Sequence, residues 1–164
     1  MALPLAGGSA TPLYPNLDRP QWVAADASNI YWAELEAGNI RKAPRAGGGQ
    51  ATPLATGEKN PVLLTITPQY LFWANDDHMM RLALAGGPGA AFQASEGRPG
   101  SMATDGKNLY WFGTKGIKQV PVAGGEPVTL ATPEETGGLG ALVLDEKSVI
   151  WNDIPGGRIL RKAR

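Results

Sequence analysis

The side chains with the widest chemical reach in this chain of 164 residues stand together at Asn75-Asp76-Asp77-His78. Two carboxylates beside the only histidine offer oxygen and imidazole donors, a set a divalent metal can take. The spacing argues the other way. Adjacent residues point in different directions, so the run is not a ligand pattern such as His-x-x-x-His. The same four residues also suit an Asx-type turn with a solvated histidine. No metal, cofactor or catalytic residue is therefore assigned. Cysteine is absent, so there is no thiol nucleophile, disulfide or thiolate metal site. No Gly-x-x-x-x-Gly-Lys-Ser/Thr phosphate loop and no Gly-x-Ser-x-Gly nucleophile elbow is present.

What positions these polar groups is a repeat. Tryptophan recurs at Trp32, Trp73, Trp111 and Trp151, and an Ala-Gly-Gly triplet at 6–8, 46–48, 85–87 and 123–125. Six residues before each tryptophan stands Asp26, Thr67, Asp105 or Asp145. Aligned on these marks, the units run 21–60, 61–100, 101–138 and 139–164, the last completed by 1–20. Within a unit the period is two. In 101–138, runs at 101–104, 109–112, 117–122 and 127–131 are separated by turns, and Gly124-Gly125 is a hairpin signal. Unit 21–60 reads the same way, with runs at 22–25, 29–33, 39–45 and 51–55. No stretch carries a helical period. Four short strands, A to D, repeated about every 40 residues predict an all-β propeller. The tryptophan of each strand B then wedges between neighbouring sheets. Trp22 lies outside this phase, and both the central channel and the rim suit it.

Three units share one pattern: Asp26-Ala-Ser-Asn-Ile-Tyr31-Trp32, Asp105-Gly-Lys-Asn-Leu-Tyr110-Trp111 and Asp145-Glu-Lys-Ser-Val-Ile150-Trp151. The first continues as Gly38-Asn-Ile-Arg-Lys-Ala-Pro44-Arg-Ala-Gly-Gly48. This resembles the Tyr-Trp-Thr-Asp propeller repeats, class B of the lipoprotein receptors, and bacterial secreted propellers of unassigned function with that repeat. The resemblance spans nearly the whole chain and implies the propeller fold. It implies secreted or periplasmic location for relatives, although Met1 to Gly8 has no basic region and no long apolar core of a signal peptide. The Thr-Asp of the motif is replaced by Ala33-Glu34, Ala74-Asn75, Phe112-Gly113 and Asn152-Asp153, so only the last keeps the aspartate that ties neighbouring blades in the family. Propellers host many activities, so function must come from the site.

Propellers usually bind ligands on the face made by the B–C and D–A loops. Here that face carries Glu34, Glu36, Asn75, Asp76, Asp77, His78, Lys115, Asn152 and Asp153 from B–C loops, with Arg19, Glu58, Glu96 and Arg98 from D–A loops. Polar turn residues also arise simply because loops face water. The 15 basic and 15 acidic side chains balance, which excludes strong global attraction to nucleic acid or anionic membrane. Arg41, Lys42, Lys118 and Arg161 fall on strand C and decorate a side wall. No apolar run approaches a membrane span. The expected function is a non-enzymatic scaffold or binding module for a protein, peptide or glycan. Alternatives are a metal-dependent propeller hydrolase or lyase, as in some six-bladed lactonases and antibiotic lyases, and a half-propeller without ligand.

The two ends fall at one phase. Residues 157–164 align with 38–45, and 1–5 align with 41–45, with 10–14 as a strand D. Two closures fit: a four-bladed ring in one chain, or a homodimeric eight-bladed ring with two mixed blades. The dimer is favoured, since four blades of 40 residues make a tight ring.

Overall fold

The computed structural model describes residues 9–94, 98–138 and 140–164. The sequence marks at Met1–Leu5, Gly7-Gly8 and Glu96 lie outside the described residues. Fifteen strands fall into four antiparallel sheets in chain order. The first is β1 (Pro20–Ala25), β2 (Asn29–Glu34), β3 (Asn39–Pro44) and β4 (Thr52–Ala55). The second is β5 (Val62–Ile66), β6 (Tyr70–Ala74), β7 (His78–Ala83) and β8 (Ala90–Ala94). The third is β9 (Ser101–Thr104), β10 (Asn108–Gly113), β11 (Gly116–Pro121) and β12 (Val128–Ala131). The fourth has three strands, β13 (Leu142–Leu144), β14 (Ser148–Asp153) and β15 (Arg158–Ala163). One element departs from the all-strand expectation: the turn α1 (Pro133–Thr136), begun by Pro133 and held by Glu135, which accepts from the Thr132 N–H at 2.8 Å.

The repeated acid is the residue that builds each A–B hairpin. Asp26 Oδ1 accepts from the N–H groups of Ser28 and Asn29 at 2.7 and 2.6 Å. Asp105 does the same for Lys107 and Asn108, and Asp145 for Lys147 and Ser148. Thr67 serves in the second unit, accepting from Tyr70 N–H at 2.9 Å. These are Asx and ST turns, which need a short side-chain oxygen at the first position. The second carboxylate oxygen has a further task. It accepts the phenol of Tyr31 from Asp26 at 2.6 Å and that of Tyr110 from Asp105 at 3.0 Å. The spacing of aspartate to tyrosine is thus one interaction, closing the turn onto strand B.

The sheets stack through alternate residues of strand B. Tyr31 of the first sheet packs with Trp73 of the second, Phe72 with Trp111 of the third, and Tyr110 with Trp151 of the fourth. Each sheet therefore offers its tyrosine or phenylalanine to the following sheet and its tryptophan to the preceding one. All four tryptophans of the repeat are buried, the wedge role expected of them. β1, β5, β9 and β13 are the inner strands of the arc, neighbours across successive sheets.

The expected strand at 10–14 does not form beside β15. Within that segment only Thr11 carries a bridge, and the fourth sheet stays three-stranded. The segment instead lies on the first sheet: Tyr14 stacks on Trp32 with centroids 5.9 Å apart and donates its hydroxyl to the Pro44 carbonyl at 2.7 Å. The reason is the stacking rule just described. Trp32 lies on the face away from the second sheet, and Tyr14, at the repeat position of Ala55, covers it. Closure of a ring by strand sharing within one chain is therefore not made among the described residues. Trp22 sits on inner strand β1, in a bulge with φ 51°, and lines a cavity of about 380 Å³ with Leu13, Tyr14 and Leu17.

Candidate functional site

The B–C and D–A turns meet at one end of each sheet, and their polar groups largely engage each other. Arg19, leading into the first sheet, pairs with Glu36 of its B–C turn. Lys59 reaches Asp77 at 3.2 Å and Asn60 donates to Asp76 at 2.7 Å, repeating the arrangement in the second sheet. Arg158 pairs with Asp153 at 2.6 Å in the fourth. Arg98 and Lys115 are exposed on the third. The pairs of the first two sheets are solvent-exposed, so each fixes a loop geometry and contributes only about 0–1 kcal/mol.

The cluster at 75–78 resolves as an Asx turn. Asn75 Oδ1 accepts from the N–H groups of Asp77 and His78 at 3.0 and 2.7 Å. Asp76 and Asp77 turn outward to Asn60 and Lys59, and the His78 ring is exposed. Among the described residues, no three His, Cys, Asp or Glu side chains converge as a metal site would need. Asn152 turns inward too, accepting from Ala141 N–H at 2.6 Å and clamping β13 to β14.

Two acids of this face are structural in a way the sequence reading underrated. Glu34 stands where the family motif has aspartate, so the first sheet keeps an acid at that position as well. It is buried and accepts from Trp32 Nε1, Asn39 Nδ2 and Arg41 Nε at 3.3, 3.1 and 2.8 Å. Burial pushes its carboxyl up, yet the donors of Asn39, Arg41 and Trp32 outweigh that and hold it below the ordinary range. Asp153 is held low by the Arg158 guanidinium and the Gly156 N–H. The second acid is Glu58. Its carboxylate accepts from Trp73 Nε1 at 3.0 Å and Asn75 Nδ2 at 2.9 Å, while its backbone N–H donates to the Gly38 carbonyl at 2.9 Å. Glu58 therefore latches the second sheet to the B–C turn of the first. Gly38 permits this: its φ is +63°, and a Cβ there would stand 2.5 Å from the Glu58 carbonyl oxygen. The signal was in the sequence, since Asp18, Glu58, Glu96 and Glu134 each precede a repeat tryptophan by 14 to 17 residues. In the fourth sheet α1 intervenes there. Glu135 turns to Thr132 and Lys162, and the buried Trp151 Nε1 has no acceptor among the described residues.

This geometry has clear counterparts among solved structures. The chain is similar to a chain of the nidogen/laminin complex, with TM-score 0.77 and 20% identity, over 98% of this chain and 66% of that one. The fold is a β-propeller. The computationally designed Ika4 protein is also similar, with TM-score 0.75 and 12% identity over 96% of this chain and 98% of that one. Virginiamycin B lyase from Staphylococcus aureus follows at TM-score 0.67 and 14% identity, with 98% and 61% covered. The chain thus spans just under two thirds of the nidogen/laminin and lyase chains. No family model and no curated protein matches the sequence. Identities this low carry the propeller fold alone.

Proposed function

We propose that this propeller is a binding module that presents its B–C and D–A loop face to a protein or peptide ligand. The observation that supports it is the pairwise bracing of that face. Arg19–Glu36, Lys59–Asp77 and Asn60–Asp76 lock adjacent turns together while leaving their charged heads at the surface. A rim of both signs, already ordered before binding, lowers the conformational entropy lost on association and suits a polar partner with complementary charge. One of the similar chains comes from a complex of two proteins, nidogen and laminin.

Panning a random peptide library on the purified protein tests the reading. Enriched peptides should lose affinity for the face variant Arg19→Glu/Asp77→Lys and keep it for the side-wall variant Lys42→Glu. Peptides that bind the face variant undiminished, or enrichment of glycans instead on an array, would overturn it. Elemental analysis of the same preparation separates a binding module from a metal-dependent propeller hydrolase or lyase.

A further inference from the structure

The described residues include six exposed large apolar side chains, and five of them lie on the first and last sheets: Trp22 and Val23 on one, Val143, Ile154 and Ile159 on the other. Ile159 is the telling member. It is the second residue of β15, opposite Asn152. The same position in the other sheets is Ile40, Met79 and Ile117, opposite Ala33, Ala74 and Phe112. Those three are at most 1% exposed, whereas Ile159 is 74% exposed. Ile150 likewise takes the position of Tyr31, Phe72 and Tyr110, each buried against a following sheet. The last sheet therefore leaves open apolar positions that a following sheet covers in the other three.

What covers it is indicated by charge. The residue after strand C is Arg45, Leu84, Val122 or Arg164, and each makes the same backbone hydrogen bond to its own A–B turn. Arg164 also reaches back to Asp105 of the preceding sheet and lies over the Tyr110 ring at 5.6 Å. Only the first and last sheets carry arginine here. Arg45 of the first sheet is exposed, and its guanidinium donates to the Asp26 carbonyl at 3.2 Å. Asp145 of the last sheet, the counterpart of Asp105, is exposed and borders an open cavity with Arg161 and Ser148. The segment before the first sheet lies on it through Tyr14, stacked on Trp32.

We propose that a second copy of this chain covers the face, its first sheet docking on the last sheet of the other. Arg45 of each copy then meets Asp145 of its mate, and Ile159 is buried as Ile40 is. Two such contacts close an eight-bladed ring with two-fold symmetry. Residues 10–14 of each copy lie beside β15 of the other and cover its unpaired edge. The loop face becomes a full circle drawn from both chains.

Light scattering on the 164-residue protein at micromolar concentration should give twice the 17.2 kDa of one chain. Ile159→Glu should keep its circular dichroism and a cooperative melt, because the side chain is exposed in the single chain, and should weaken association by about tenfold or more. Asp145→Asn, which keeps the turn-forming side-chain oxygen, should weaken it, and so should Arg45→Asp. A parent of 17.2 kDa overturns the proposal. So does an assembly of any other size, or a dimer whose affinity neither Ile159→Glu nor Arg45→Asp changes.

Discussion

Replacing Glu58 with leucine tests whether the first and second sheets are latched by the carboxylate beneath Trp73. Trp73 is fully buried, and its indole N–H has Glu58 as acceptor at 3.0 Å. Leucine keeps most of the volume and removes both acceptor oxygens. A buried donor left without a partner costs about 1–3 kcal/mol. Asn75 Nδ2 loses its bond as well but is half-buried and can turn to water, so it adds about 0.5–1 kcal/mol. The expected loss is about 1.5–4 kcal/mol, which for a chain of this length lowers Tm by roughly 3–16 °C. Thermal melts followed by tryptophan fluorescence read it directly. Glu36→Leu is the control, because its pair with Arg19 is exposed on both sides and should cost under about 1 kcal/mol. A double cycle with Trp73→Phe sharpens the test: once the N–H is gone, Glu58→Leu should cost much less. If Glu58→Leu melts within a degree of the parent, or costs the same in the Trp73→Phe background, the latch carries no stability and the reasoning fails.

Three further outcomes are expected. Trp111→Ala should cost about 3–5 kcal/mol, since it empties the space between the second and third sheets; a melt within a few degrees of the parent would remove strand β10 from the core. Trp73→Phe should cost about 1–3 kcal/mol more than Trp151→Phe, because only Trp73 loses a hydrogen bond; equal denaturation midpoints would contradict the unpartnered indole of Trp151. Burial, and then the Asp26 acceptor, push Tyr31 from 10.0 up to about 12, so folding favours its neutral form. That stability is fully present below pH 10 and is lost as pH rises through about 12. Denaturant titrations across this window should show a steeper alkaline loss for the parent than for Tyr31→Phe, and parallel losses would refute it.

The repeat made the sheets legible because each of its marks is a local device with a physical need. Aspartate at one position folds an Asx turn and then holds a tyrosine five residues on, so Asp26–Tyr31 and Asp105–Tyr110 could be read without knowing any neighbour. Gly38 could be read as a turn residue, but its second role, the close approach of Glu58, depends on a loop 20 residues away. The polar face was legible as a list and not as a set of pairs. Which of Asp76, Asp77 and His78 turns out, and which of Glu34 and Glu36 turns in, depends on alternation along the strand and on what the adjoining loop offers. Glu34 is buried because Arg41, Asn39 and Trp32 all present donors on its side of the sheet, whereas Glu36, two residues on in the turn, meets only Arg19 at the surface. The misplaced strand at 10–14 has a related cause. Phase says which blade position a segment fills and not which copy of the blade supplies the other strands. Tyr14 satisfies the stacking demand of Trp32 whether or not β15 is beside it. A periodic sequence therefore encodes the contact between successive blades strongly without naming the partner of its first and last blades, because Asp145 and Ile159 keep the repeat positions of Asp105 and Ile117.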